Sequence, residues 1–262
     1  MIINRVLESR SEGGLEPDDL AVLADSISDQ KVYAPRTMIV KAGQTVNFST
    51  FLYEGIMSRY VDDRAGQRQL VAIQTPGDFV DLHAYPLKHL DHDVGTITGA
   101  RVGIIPHDNL RRIQRERPEL ARKLWFLTLL DAAMHRTWVF RLGRLKAVAR
   151  VAHFLCETNA KLFAVGHSDG ERFNLPLTQF DLAEICGLTS VHVNRVLREL
   201  RERGLCTFRA GAVDIHNRMA LAKLAEFDLD YLYLAEDVQR RLGFPMAPVD
   251  PVPEGPPPDD RE

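Results

Sequence analysis

The 262-residue sequence has little cysteine: Cys156, Cys186 and Cys206, an odd number, widely spaced and without a CxxC pair. Each stands among apolar neighbours ("HFLCET", "AEICGL", "GLCTF"), the setting of a small buried hydrophobe. That argues against an iron–sulfur centre and against a structural zinc site of ordinary ligand spacing. Long apolar runs are lacking too: none reaches eighteen residues, so no membrane span is predicted. The opening "MIINRVLESRSEGG" has neither the apolar core nor the cleavage site of a secretory signal, which predicts a cytoplasmic protein. No histidine precedes His83, so the HxH pair and carboxylate of a β-roll metalloenzyme cannot be assembled there. Serine-nucleophile and phosphate-loop motifs are absent as well. An enzyme is therefore not expected, and no catalytic, cofactor-binding or metal-ligating residue is assigned.

An excess of positive charge is also missing. The net charge is −3, which argues against a protein that coats nucleic acid indiscriminately. The distribution is uneven, however. Residues 111–150 hold eleven Lys/Arg against three Asp/Glu, whereas residues 236–262 hold seven acidic side chains against three basic ones. Local patches, not the total, decide where phosphate is attracted.

The pattern of the chain predicts an α+β protein. Residues 31–106 read as strands, in short apolar runs ("TMIV", "TVNFSTFLY", "QRQLVAIQ", "VGTITG", "VGIIP") divided by turn residues. Gly43, Gly55, Gly66 and Gly77 recur every eleven or twelve residues, the rhythm of an antiparallel β-roll or jelly roll. "DDRAGQRQ" reads as a hairpin tip. Helix follows: "HDNLRRIQRERPEL" predicts one helix stopping near Arg117 and a second starting at Pro118. From Glu119 the second helix runs to a break at Gly143. Its stripe Leu120, Leu124, Leu127, Met134 and Trp138, interrupted by Asp131, is assigned to a dimer interface. Phe126, Leu130, Ala133 and Phe140 form a further apolar set. Residues 245–262 hold seven prolines with several acids and are expected to be disordered.

Residues 175–217 carry the most specific signal. Thr178 with Asp181 three residues on is a capping box, "QFDLAEIC" is a short helix ended by Gly187, and Thr189 caps the next. Two short helices joined by a glycine turn make a helix-turn-helix. On the second, Val193, Val196, Leu197 and Leu200 form one apolar stripe. At about 100° per residue, Val191, Arg195 and Arg198 point the other way, with Asn194 beside them. "LCTFRAGAVDIH" then reads as strand, Ala-Gly turn, strand: a two-stranded wing bearing Arg209. An α-helix fits the major groove of double-stranded DNA. There Arg195 could pair with guanine, Val191 could touch a thymine methyl, and His192 or Asn194 could reach a base or phosphate. Thr178, Gln179, Thr189 and Ser190, at two helix N-termini, suit phosphate contacts. A solvated helix face and a non-DNA adaptor are the competing readings, and neither explains the wing.

The segment "LTQFDLAEICGLTSVHVNRVLRELRERGL" resembles the winged helix of the Crp/Fnr superfamily of bacterial transcription regulators. "DRAGQRQ" and "TPGDFVDL" resemble, less specifically, that superfamily's cyclic-nucleotide-binding-like β-roll. The resemblance covers roughly residues 20–230. It implies a β-roll sensor (1–110), connecting and dimerisation helices (111–143), a winged helix-turn-helix (144–220), a helical extension (221–242) and a tail (243–262). It also implies a homodimer on a two-fold-symmetric promoter site, with RNA polymerase an expected partner. Cyclic-nucleotide-binding relatives hold ribose with a glycine and a glutamate after "GDF", where this chain has Asp81 and Leu82. With Phe79 and His83 these form a degenerate effector pocket. The later "HDVGT" lacks the Arg-Ser pair for the phosphate, and Asp91 and Asp93 would repel one. The loop holding His83, His89 and His92 reads as solvated surface. The expectation is a regulator that does not need cyclic AMP; the alternative is gating by a cyclic nucleotide, another small ligand, haem or redox state.

Overall fold

The computed structural model describes residues 2–244, so the segment expected to be disordered lies outside the described residues from 245 onward. Two short helices, α1 (Ile2–Glu8) and α2 (Pro17–Asp25), precede the strands β1 (Asp29–Tyr33), β2 (Met38–Val40), β3 (Phe48–Glu54), β4 (Met57–Asp62) and β5 (Arg68–Gln74). A single turn α3 (Ala84–Leu87) leads to β6 (Asp93–Thr96) and β7 (Ala100–Pro106). These strands make two antiparallel sheets, ordered β1-β7-β3 and β2-β6-β4-β5. Val40, Leu52, Met57, Val80, Leu90, Val94 and Val102 fill the space between them. The turn after β4 is held by Asp63, whose Oδ1 accepts from the amides of Ala65 and Gln67 at 2.8 Å each. At Gly55, φ is +92° and an added Cβ would lie 2.1 Å from the Gly99 carbonyl oxygen, so only glycine turns the chain there.

Helix α4 (His107–Glu116) ends at Arg117 and α5 (Pro118–Arg144) starts at the proline, as the sequence implies. Three features differ from expectation. First, α5 passes through Gly143 to Arg144 before Leu145 turns extended. One glycine costs a helix about 1 kcal/mol, too little to stop a long helix at a solvent-exposed position.

The second difference concerns the assigned dimer stripe. Leu120, Leu124 and Trp138 are buried by their own chain, and Leu127 and Met134 pack against the same intrachain cores. Asp131, which interrupts the stripe, is the acceptor for buried Arg59 of β4, Nη1 to Oδ2 at 2.7 Å. This stripe therefore holds α5 to the β-roll. The uncovered stripe lies on another side of the helix: Trp125 (63% exposed), Leu129 (53%), Ala132, Arg136, Val139 (71%) and Gly143. Their alternating four- and three-residue steps are those of a coiled-coil seam.

Third, the terminal helical stretch is not one helix. Beyond α6 (Ala147–Ala164), β8 (Arg172–Asn174), α7 (Gln179–Cys186), α8 (Ser190–Glu202), β9 (Cys206–Arg209) and β10 (Ala212–Ile215) come α9 (Arg218–Ala225), a 3₁₀ turn (Asp230–Leu232) and α10 (Glu236–Leu242). Glu226 and Tyr233, both at positive φ, break the run. The wing gains a third strand, because β8 pairs with β10 on the side away from β9. Phe154, Leu155, Phe173, Leu182, Val193, Val196 and Leu200 centre the core beneath this unit.

Candidate nucleic-acid interface

The reading unit is built from local rules. Asp181 Oδ2 accepts from the Thr178 amide and hydroxyl at 2.7 Å each, and Thr178 Oγ1 accepts from the Asp181 amide at 3.2 Å. That closes the capping box and fixes where α7 begins. Gly187, at φ +60°, ends it in the left-handed conformation. Thr189 Oγ1 accepts from the His192 amide and starts α8. The turn has a brace that sequence reasoning missed: Arg150 of α6 donates Nη1 to the Cys186 carbonyl at 2.8 Å and Nη2 to the Leu145 carbonyl at 3.1 Å. Its signal was only one more arginine in a basic stretch.

Val193, Val196 and Leu200 are buried and Leu197 half-buried, which fixes the rotation of α8. Val191 (73% exposed), His192, Asn194, Arg195 and Arg198 consequently face outward together. Among the described residues, Arg195, Arg198 and Arg209 make no hydrogen bond or ion pair through their side chains. Thr178, Gln179 and Thr189 are exposed and Ser190 half-buried. Asn194 Nδ2 donates to Gln179 Oε1 at 3.2 Å, so the two helices share a polar edge. Arg209 ends β9 at the wing tip, where Ala210 and Gly211, both at positive φ, make the two-residue turn.

The sensor is organised differently. Phe79, Leu82 and His83 line a cavity of about 40 Å³ beneath α5, together with Arg10, Arg59, Gln74, Asp78, Thr128, Asp131 and Lys161. Asp81 does not line it. Its buried carboxylate accepts from the Thr50 amide at 2.5 Å and the Thr50 hydroxyl at 3.0 Å, and burial pushes its pKa up to about 6. Asp81 is thus a structural pin of the roll. Arg59 occupies the cavity wall, its Nε donating to the Val80 carbonyl at 2.7 Å while Nη1 meets Asp131. Lys161 of α6 meets Asp78 at 2.7 Å. The histidine loop is not a solvated surface either. His92 is buried, His83 is half-buried with its ring 5.4 Å from that of His92, and only His89 is exposed. Desolvation, with Arg59 nearby, lowers His83 to about 4.

The comparisons with known proteins agree with this architecture. The pattern of the Crp-like helix-turn-helix domain matches residues 149–224, and that of the cyclic nucleotide-binding domain matches residues 30–117. The nitrogen fixation regulation protein FixK of Bradyrhizobium diazoefficiens is 29% identical over 199 residues, covering 72% of this chain and 82% of its own. The anaerobic regulatory protein of Pasteurella multocida is 24% identical over 213 residues, 80% and 77% of the two chains. The solved structure of FixK2 from Bradyrhizobium japonicum superposes with a TM-score of 0.68 at 25% identity, covering 75% of this chain and 96% of that one. The regulator CLP of Xanthomonas campestris shares the fold at a TM-score of 0.58 and 16% identity, over 77% and 99%. With a matching sensor and a matching reader in the same order along one polypeptide, the chain belongs to the Crp/Fnr superfamily of transcription regulators.

Proposed function

We propose that the protein binds a two-fold-symmetric DNA site as a homodimer, reads bases with α8, and does so without cyclic AMP. The reading rests on one observation above the rest: a rotationally fixed helix whose exposed arginines have no partner inside the described chain. In the major groove Arg195 donates two hydrogen bonds to guanine and Val191 contacts a thymine methyl. Arg198, His192 and Asn194 flank them. Thr178, Gln179, Thr189, Ser190 and Arg209 grip the sugar-phosphate backbone, aided by exposed amides at two helix N-termini. The exposed seam Trp125, Leu129, Ala132, Arg136 and Val139 meets its copy across the two-fold axis. That sets half-sites about one helical turn apart. RNA polymerase is the partner through which such binding alters transcription, in the cytoplasm; no described helix is long and apolar enough to cross a membrane.

The size of the cavity beneath α5 supports independence from cyclic AMP. A cavity of about 40 Å³ holds roughly three water molecules, whereas pockets for drug-sized ligands run from about 300 Å³ upward. One observation favours a second reading, gating by a very small polar ligand: Arg10 Nε and Gln74 Oε1 are buried on that cavity wall without hydrogen-bond partners. The experiment is selection of genomic DNA fragments by purified protein with no nucleotide added. Enrichment of one two-fold-symmetric site is expected. Enrichment that appears only with cyclic AMP overturns the nucleotide-independent reading, and none under either condition overturns ungated binding and favours the small-ligand reading.

A further inference from the structure

Two segments lie outside both matched regions, one before residue 30 and one after residue 224, and they bind each other. Arg10 and Leu234 form an antiparallel bridge, flanked by the Ser11 amide donating to the Tyr233 carbonyl and the Ala235 amide donating to the Ser9 carbonyl, each at 2.9 Å. Buried Arg10 also donates Nη1 to the Leu232 carbonyl at 2.6 Å. The amino-terminal side of this joint is anchored in the sensor. Val6 of α1 crowds Gly77, where an added Cβ would lie 2.6 Å from Val6 and 3.2 Å from Val165 after α6. The carboxy-terminal side is anchored in the reader and in α5. Tyr231 donates to Glu157 of α6 at 2.7 Å, the Tyr233 ring stands edge-on to Phe126 of α5, and Phe227 packs on Phe244. Leu229, Leu232 and Leu234 are buried in the reader core.

We propose that these paired segments form a clasp that positions the winged-helix unit against the sensor and α5, with Arg10 as its central positioning residue. The inference rests on the DNA-binding reading. A dimer gains affinity for a two-half-site duplex only if its readers are held at the right separation, because the second contact is then intramolecular. The clasp holds each reader to the element that carries the dimer seam. Removing it leaves the α8 contacts intact and loosens the spacing between the two readers.

Arg10 and Leu234 are a non-hydrogen-bonded antiparallel pair, whose Cα atoms lie about 4.5 Å apart, within disulfide reach. The test is the double variant R10C/L234C, whose clasp closes on oxidation and is weakened on reduction, with Arg10→Met as a second variant. Each is titrated with a two-half-site duplex recovered by the wild type and with a single half-site. Reduced R10C/L234C and Arg10→Met are expected to bind the two-half-site duplex about tenfold more weakly. Oxidation is expected to restore wild-type affinity, with half-site affinity unchanged throughout. Equal two-half-site binding by oxidised and reduced protein, or an equal loss on both duplexes, overturns the clasp. A wild type that fails to prefer the two-half-site duplex overturns the dimeric DNA-binding reading instead.

Discussion

The outer face of α8 with the wing tip, and the cavity region beneath α5, use polar side chains in opposite ways. In the reader, Arg195, Arg198 and Arg209 stand outside with nothing in the described chain to hold them. Beneath α5, Arg59 is closed onto Asp131 and Val80, Asp81 onto Thr50, and Lys161 of α6 onto Asp78. A polar group satisfied internally supports the fold, and removing its partner strands a buried charge. A polar group left free on a rigid surface is open to water or to a partner in another molecule. The two sides of α5 repeat the contrast: Leu120, Leu124 and Trp138 serve the chain's own cores, while Trp125, Leu129 and Val139 stay bare.

The largest expected effect breaks the contrast on α5. Leu129→Glu places a charge in each half of the seam, and burying such a group unpaired costs several kcal/mol. Sedimentation is expected to show a folded monomer for the variant and a dimer for the wild type. Next, Asp131→Ala strands Arg59, which is 2% exposed. A loss of about 3 kcal/mol in urea unfolding is expected, the scale for breaking a buried pair. An unchanged midpoint would mean that the sensor's ion pair is dispensable. Smaller and of opposite sign is Arg136→Leu, which removes the one charge in the seam, since a polar seam residue trades stability for register. The dimer is expected to survive dilution further than the wild type does.

The smallest effects are in pH dependence. Asp81 titrates near 6 when folded, above its ordinary 3.8, so its neutral form favours the fold below about pH 4 and that gain is lost as pH rises through 6. His83 titrates near 4 when folded, below its ordinary 6.5. Its neutral form therefore favours the fold above pH 6.5, and that gain is lost as pH falls toward 4. The two slopes oppose each other. Asp81→Asn is expected to make the fold more acid-sensitive between pH 4 and 6, and His83→Gln less so, in urea midpoints taken across that range. Parallel curves for all three proteins would mean that neither group titrates as its burial implies.

The same contrast explains what the sequence made legible. The reader was readable because its determinants are neighbours: Thr178 with Asp181, Val193 with Val196 and Leu200, Ala210 with Gly211. The turn residues of the β-roll were readable for the same reason, since Gly55 and Asp63 act on their own loops. The sensor's cavity was not, because its walls come from distant segments: Arg59 and Asp131 are 72 residues apart, and Lys161 and Asp78 are 83 apart. Periodicity found two apolar sets on α5, and neither is the exposed stripe of Trp125, Leu129 and Val139. Asp131 was the clue that was misread. Here the acid within the stripe meets the buried cation Arg59.

The most direct test of the central claim, that the free side chains of α8 read DNA, is a position-by-position base-preference profile of Arg195→Ala beside the wild type. Loss of preference at one base pair in each half-site is expected, worth about 1–3 kcal/mol there, with thermal stability unchanged. An unchanged profile would contradict the account, because the partner that Arg195 lacks inside the chain would then not be a base.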